Sequence, residues 1–200
     1  KNKKRIGCVI VTDYSGIPAN WKELYKLKTK YKFKLINDNC HAIGSKYLNS
    51  NKYAVNYADI VVQSYHAIKN ITTAEGGAVF TNNRQLNKRI LNLKSHGISR
   101  SIKKKNIHGL WHYDIKFQGL NFRLSEIQCA LGISQLSKIK TFLNKRKKIS
   151  NIYNKSLSEL DFVKIPPEFS DRVSSNHIYP LLIDFKIAFA DLRLIGLSFE

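Results

Sequence analysis

One lysine of this chain, Lys69, stands in a segment whose residue types suit covalent chemistry. The segment reads Ser64-Tyr-His-Ala-Ile-Lys-Asn-Ile-Thr-Thr-Ala-Glu-Gly-Gly77 and lies between two short apolar runs that predict strands. Such surroundings favour a buried amine, because burial lowers the pKa of a lysine and leaves it free to form a Schiff base. The chain holds 26 lysines, however, and residue type alone makes any one of them a surface residue.

Two polar residues come where predicted strands end. Asp38 follows the apolar run Lys34–Asn37, and Ser64 follows the run Ile60–Gln63. In open α/β sheets ligands bind beyond the carboxyl ends of the strands, so both positions are candidates for a binding site. By residue type alone, each is more often a turn residue.

Apolar patterning predicts an α/β fold with a mainly parallel sheet covered by helices. Short β-branched runs alternate with segments of helical period, as in strand-helix-strand units. The predicted strands of this part are Cys8–Thr12, Lys34–Asn37, Ile60–Gln63 and Gly77–Thr81. The predicted helices begin after Asn20, at about Asn83, after Ser125 and at about 142, the last continuing to 160. Asn20 and Ser125 have a glutamate or glutamine three residues later, which is the spacing of a capping box.

The rest of the chain predicts the start of another unit. Pro166 and Pro167 prevent the preceding helix from continuing. A strand is then predicted over His177–Phe185, and the beginning of a helix over Ile187–Leu194. We therefore predict part of a large domain at residues 1–145, and a linking helix with the start of a smaller C-terminal domain at 146–200.

The formal net charge of +20 raises the question of nucleic-acid binding. The basic residues are 26 Lys and 8 Arg, scattered beside 18 Asn, whereas base readout favours arginine, so a general compositional bias explains the charge better. Lys103–Lys105 form a run of three in the basic stretch Ser99–Asn106, which predicts a solvated loop. The stretch Gly109–Arg123 shows no clear period.

Composition also limits the class of protein. A chain with 43% apolar residues can form a core, and no run approaches the roughly 20 apolar residues of a membrane helix. Cys8, Cys40 and Cys129 are too far apart for a CxxC pair, and the six histidines include no HExxH motif. We therefore expect a soluble cytoplasmic protein with no metal site. The chain lacks methionine and opens close to a predicted strand, so we also expect further sequence in front of it.

Several segments, in order and at matching spacing, resemble one enzyme family over nearly the whole chain. They are NDNCHAIGSKY, SYHAIKNITTAEGGAVFT, LKSHGI and GLNFRLSEIQCALGISQL, with the tyrosine-bearing helix that follows. These segments are similar to those of the sugar-nucleotide aminotransferases of the fold type I pyridoxal-phosphate class. The resemblance implies the fold type I architecture and pyridoxal 5'-phosphate as cofactor.

The resemblance also implies roles for five residues. Lys69 would be the catalytic residue, holding the cofactor through a Schiff base and moving the proton between substrate and cofactor. Asp38 would pair with the pyridine nitrogen, and His41 would approach the phenolic oxygen. Ser64 would contact the phosphate, and Asn121 would reach it from a neighbouring subunit, which implies a homodimer. By residue type alone, His41 is a packing residue and Asn121 a loop residue.

The implied reaction moves an amino group from glutamate to a nucleotide-linked 4-keto-6-deoxy sugar. Two alternatives stay open. The substrate could be another keto sugar nucleotide, or the protein could be a non-catalytic basic binding module with the same fold. Lys103–Lys105 could help to attract the anionic nucleotide, although a solvated loop is the simpler interpretation.

Two positions depart from the family pattern. Asn39 stands where a small alanine is usual near the ring, so the ring could sit differently or bind less tightly, and Gln118 replaces an apolar residue. Family members are nearly twice as long, and their preceding portion supplies a phosphate loop and a ring-stacking aromatic residue. We therefore expect these 200 residues alone to be inactive.

Overall fold

The computed structural model describes residues 6–99 and 111–188, and its centre is a four-stranded sheet. The strands are, in chain order, β1 (Cys8–Thr12), β2 (Lys34–Asp38), β3 (Lys46–Tyr47), β4 (Ile60–Ser64), β5 (Gly77–Phe80), β6 (Ile98–Ser99), β7 (Asp114–Ile115), β8 (Val163–Lys164), β9 (Arg172–Val173) and β10 (Leu182–Ile183). The central sheet has the order β1-β2-β4-β5. The β1–β2 and β2–β4 pairs are parallel and the β4–β5 pair is antiparallel, which confirms a mainly parallel α/β sheet.

The core lies on one side of this sheet, under two helices. The helices are α1 (Trp21–Tyr31), α2 (Tyr53–Tyr57), α3 (Arg84–Leu93), α4 (Glu126–Ser137) and α5 (Ile139–Leu157). Trp21 of α1 and Tyr53 of α2 are buried against Leu35 of β2 and Val61 of β4. Burying a large aromatic side chain removes 150–250 Å² of surface from water, so these residues fix α1 and α2 on the sheet.

Side-chain caps begin the helices where the sequence predicts them. The Asn20 side chain accepts a hydrogen bond from the Glu23 N–H at the start of α1. Ser125 and Gln128 form a full capping box at the start of α4. The predicted helix at 142–160 is instead Ile139–Leu157, and Lys138 alone separates it from α4. The predicted domain division at 145/146 falls inside this helix and stays a prediction.

The predicted strand His177–Phe185 is wrong over most of its length. Only Leu182–Ile183 pair, with Lys164 and Val163 of β8. Pro180 has no N–H to offer a ladder, and the His177 N–H is already donated to the Ser15 carbonyl. Residues 185–188 are helical, and the rest of the predicted Ile187–Leu194 helix lies outside the described residues.

Short pairings that the sequence did not predict join distant parts of the chain. The two residues of β3 pair with β9, and the N–H groups of Ser175 and His177 donate to the carbonyls of Gly16 and Ser15, which places the segment 172–177 near the end of β1. β6 pairs with β7, so a strand occupies Ile98–Ser99 at the start of the predicted loop Ser99–Asn106. The Lys103–Lys105 run lies outside the described residues. None of the helices described is long and apolar enough to cross a membrane.

Candidate active site

The loop that carries Lys69 is closed at its base by backbone hydrogen bonds. It runs from the end of β4 to the start of β5, where the Tyr65 N–H donates to the Gly76 carbonyl at 2.8 Å and the Thr73 N–H to the Tyr65 carbonyl at 2.9 Å. Lys69 lies in a tight turn, its N–H donating to the His66 carbonyl at 3.0 Å. The side chain of Lys69 is half-buried, whereas the sequence led us to expect a buried amine.

Glycine at position 77 permits the close approach of β5 to β4. A Cβ at Gly77 would lie 2.5 Å from the Gln63 carbonyl oxygen, which is shorter than real contacts allow. Only glycine therefore allows the chain to pass directly from the loop that carries Lys69 into β5, which pairs antiparallel with β4.

Asp38 ends β2 at the carboxyl edge of the sheet. The parallel register sets it beside Thr12 of β1 and Val62 of β4. One carboxylate oxygen accepts from the Cys40 N–H at 3.1 Å, and the other accepts from the Thr12 hydroxyl at 3.4 Å. These bonds orient a half-buried carboxylate at the edge where open α/β sheets bind ligands.

The thiol of Cys40 shows that three of the candidate residues converge. Burial raises the pKa of Cys40 to about 11, and the neighbouring Asp38 carboxylate adds to this effect. Lys69 and the backbone of Ser64 act in the opposite direction on the same pKa. Asp38, Ser64 and Lys69 therefore all lie close enough to Cys40 to influence one thiol.

His41 lies between two aromatic rings in the same region. Its ring centroid is 5.8 Å from that of Tyr14 and 4.6 Å from that of His177. Burial lowers the pKa of His41, the positive charge of Lys69 lowers it further, and Asp38 opposes both. The imidazole is therefore neutral near pH 7. Its Nδ1 atom is buried and has no hydrogen-bond partner among the described residues.

Ser64 and Asn121 occupy different surroundings. Ser64 is the last residue of β4, and its hydroxyl accepts a hydrogen bond from the His66 N–H at 3.3 Å. Asn121 is exposed, and its backbone bridges to Ser95 in an isolated antiparallel pair. The structure thus groups Asp38, His41, Ser64 and Lys69 but shows no contact between them and Asn121.

The side chain of Asn39 belongs to a buried polar network. Its amide nitrogen donates to the Asp13 carboxylate and to the Tyr53 hydroxyl, each at 3.0 Å. Its oxygen accepts from the Gln63 amide at 3.0 Å, and the residue is 3% exposed. Every polar atom of this side chain is thus engaged beneath the site, in bonds that an alanine could not make.

Sequence reasoning missed two residues of this region, Asn70 and His177. Asn70 follows Lys69, is 6% exposed, and bonds to the His177 ring at 3.1 Å. His177 lies 107 positions further along the chain, where the sequence predicts a strand. No short-range pattern links two residues so far apart, and only their burial together identifies them.

Comparison with known proteins places this geometry in a family. A transaminase of Campylobacter jejuni (strain 81-176), UDP-4-amino-4,6-dideoxy-N-acetyl-beta-L-altrosamine transaminase, is 39% identical over 183 residues, which cover 92% of this chain and 46% of that protein. The structure of Helicobacter pylori PseC, an aminotransferase involved in the biosynthesis of pseudoaminic acid, superposes with a TM-score of 0.80 at 34% identity, covering 95% of this chain and 50% of the other.

The fold also matches the putative sugar aminotransferase Spr1654 of Streptococcus pneumoniae in its PLP-form. The TM-score is 0.78 at 23% identity, covering 96% of this chain and 53% of the other. The chain spans about half the length of the curated relatives that it matches. The family model for the DegT/DnrJ/EryC1/StrS aminotransferases matches residues 2–195. This chain therefore belongs to the DegT/DnrJ/EryC1/StrS aminotransferase family.

Proposed function

We propose that this chain is part of a pyridoxal-phosphate-dependent aminotransferase that moves an amino group from glutamate to a nucleotide-linked 4-keto-6-deoxy sugar. The observation that carries the proposal is the grouping of Lys69, Asp38, Ser64 and His41 at the carboxyl edge of the sheet. Family membership and the transaminase name of the C. jejuni relative support the same reaction class.

The residues present match the functional groups of pyridoxal phosphate. The amine of Lys69 can bind the aldehyde, the carboxylate of Asp38 can pair with the pyridine nitrogen, and the hydroxyl of Ser64 can bind the phosphate. The phenolic oxygen suits a neutral imidazole, and the buried Nδ1 of His41 lacks a partner among the described residues. A buried polar atom normally has a hydrogen-bond partner, so this one favours a bound group. When bound, the cofactor would supply an electron sink for the loss of a proton beside the transferred amine.

Each of these side chains would have a defined role. The Lys69 amine would first bind the aldehyde and then take up and return the proton at Nζ. The Asp38 carboxylate would keep the pyridine nitrogen protonated, and its two hydrogen bonds already fix its orientation. The Ser64 hydroxyl would hold the phosphate, and His41 would orient the ring from the side of its phenolic oxygen.

The same proposal extends to a cytoplasmic homodimer with a shared site. Asn121 is exposed and has no observed contact with the other four residues, which suits a residue that serves the site of a second chain. We also propose that the division at 145/146 separates the large domain from the small one, along α5. The donor and the sugar would bind in the full-length protein, which supplies the remaining part of the site.

The first test is an absorbance spectrum of the full-length parent protein with added pyridoxal phosphate. We expect a Schiff-base band in the unaltered protein that bleaches on addition of glutamate and is absent from Lys69→Ala. Lys148→Ala, which removes an exposed lysine of α5, is the matched control and should keep the band. A spectrum that does not depend on Lys69 would refute the catalytic role and favour a binding module.

A second test addresses the shared site. Lys69→Ala and Asn121→Ala proteins should each have low activity, but mixed dimers should regain it. In a mixed dimer one site combines Lys69 from one chain with Asn121 from the other, so one intact site is restored. If mixing restores no activity, Asn121 does not act across the dimer.

A further inference from the structure

His177 is held from several directions by parts of the chain that are distant in sequence. It is 7% exposed, and its N–H donates to the Ser15 carbonyl at 3.0 Å. Its own carbonyl accepts from the Arg146 guanidinium of α5 at 2.8 Å. Its ring packs on His41 with a centroid separation of 4.6 Å. A surface histidine would need none of these contacts.

The hydrogen bonds of Asn70 fix the protonation of the His177 ring. The Asn70 amide nitrogen donates to the Ile43 carbonyl at 3.1 Å, so the amide oxygen faces the His177 Nδ1 at 3.1 Å. Because that oxygen can only accept, Nδ1 must carry the proton. Burial lowers the pKa of His177 to about 4, and repulsion from His41, when that ring is protonated, and from Lys69 and Arg146 adds to the effect. The ring is therefore a neutral imidazole with its proton on Nδ1.

We infer that His177 is a positioning residue for Lys69 and His41. Its Nδ1–H holds Asn70, the residue that follows Lys69, and its ring packs against that of His41 at a tilt of 44°. Asn70 in turn ties the lysine loop to the carbonyl of Ile43, two residues beyond His41. His177 thus holds the loop that carries Lys69 against the segment His41–Ile43. The inference rests on the proposed function of Lys69 and His41.

The geometry distinguishes positioning from simple packing. A packing residue would need only to fill space, and phenylalanine would replace it at little cost. Here the His177 Nδ1–H faces the buried amide oxygen of Asn70. Removing that N–H leaves the oxygen without its partner, which costs free energy and releases the Asn70 side chain. A displacement of about 1 Å at a reacting group can cost a hundredfold in rate, so loosening Asn70 should affect the chemical step.

Two substitutions separate the contributions in the full-length parent protein. His177→Phe keeps a ring against His41 and removes the donor, while His177→Asn keeps a donor to Asn70 and removes the ring. Tyr179→Phe is the matched control, because it removes a hydrogen bond to Asn154 from the same segment without touching the site. Each variant is compared for its Schiff-base band, the dissociation constant of pyridoxal phosphate, kcat and KM.

We expect His177→Phe to keep the Lys69-dependent band but to lower kcat by about tenfold, the equivalent of one hydrogen bond, with little change in KM for the sugar. The pH midpoint of the band should also shift, because the amine loses its fixed position. His177→Asn should recover part of kcat. The control should change thermal stability alone. If His177→Phe differs from the unaltered protein only in stability, as Tyr179→Phe does, the inference is wrong.

A measurement on the unaltered protein does not depend on whether the variants fold. ¹⁵N NMR of the histidine side chains in the cofactor-free protein should show one imidazole with its proton on Nδ1 that stays neutral at pH 5.5. If no imidazole has its proton on Nδ1, or if every histidine becomes protonated near pH 6.5, the inference is overturned. A band that persists in Lys69→Ala would instead refute the proposed function, so the two failures can be told apart.

Discussion

Asp13, at the end of β1, gives the most demanding test of how the site is supported. Its carboxylate is fully buried and accepts five hydrogen bonds. Two reach Oδ1, and three reach Oδ2. The donors are the Ala19 N–H (2.8 Å), Trp21 Nε1 (2.9 Å), Asn37 Nδ2 (3.1 Å), Asn39 Nδ2 (3.0 Å) and the Tyr53 hydroxyl (2.8 Å). This single side chain therefore joins α1, α2 and the ends of β1 and β2.

Removing the carboxylate should destabilise the protein strongly. Asp13→Ala leaves all five donors without that acceptor, and each buried donor that stays unsatisfied costs about 1–3 kcal/mol. Asp13→Asn should cost about 1–2 kcal/mol, because its oxygen can face the Ala19 and Trp21 donors, which cannot reverse. Its NH₂ group then meets the Oδ2 side, where the Tyr53 hydroxyl can rotate and accept.

Urea unfolding of the full-length protein, followed by circular dichroism, measures these losses. Asp161→Ala, which removes an exposed carboxylate, is the control and should stay within about 0.5 kcal/mol of the unaltered protein. A loss of less than about 1 kcal/mol in the free energy of unfolding for Asp13→Ala, or equal losses for the alanine and asparagine variants, would refute this role of the carboxylate.

The pH dependence of Asp13 has a defined sign. Burial raises the pKa of this carboxyl above its ordinary 3.8, although its hydrogen bonds oppose the change. Between 3.8 and the raised pKa the folded protein binds a proton that the unfolded chain does not. The contribution of Asp13 to the free energy of unfolding therefore increases as pH falls through this window. Asp13→Asn should lack that component in urea titrations at successive pH values.

Three further predictions concern other elements. His177 contributes to the free energy of unfolding above pH 6.5, and this contribution is lost as the pH falls towards its folded pKa of about 4. The free energy of unfolding should change by about 3 kcal/mol over this window, and urea titrations of His177→Asn should lack that change. Asn83→Ala removes the cap of α3 and should cost about 1 kcal/mol in urea, whereas Asn83→Asp should be nearly neutral. Gly97→Ala would place a Cβ 1.9 Å from the Phe117 carbonyl oxygen at a φ of 68°, and should lower the melting temperature by several degrees more than Gly7→Ala, where nothing lies within 4 Å. A Gly97→Ala protein as stable as Gly7→Ala would show that the backbone there yields readily.

Local features of the fold followed from the sequence because their causes are local. Asn20 and Ser125 cap helices through atoms three residues away, and the four strands of the central sheet are short apolar runs. The last predicted strand was wrong over most of its length, because Pro180 has no N–H for a ladder and the His177 N–H is donated to the Ser15 carbonyl. The pairing of β3 with β9 has no local signal, since two-residue strands carry no period.

The candidate site divides in the same way. Lys69, Asp38, His41, Ser64 and Asn121 were chosen through a family resemblance, because their residue types alone assign no role. The structure groups four of these residues and leaves Asn121 exposed and apart. It also shows that Asn39 is held by a buried network, where the sequence predicted an effect on the ring.

The sequence by itself determined where helices begin, which runs form the sheet and which family the lysine segment resembles. These properties depend on residues a few positions apart. Tertiary structure alone decided that His177 is buried and neutral, and that its partner is Asn70, 107 positions away. It also decided that the Asp13 carboxylate accepts five hydrogen bonds. The physical reason is that burial and hydrogen bonding depend on which distant residues meet, and folding must bring those residues together before their charges and protons are set.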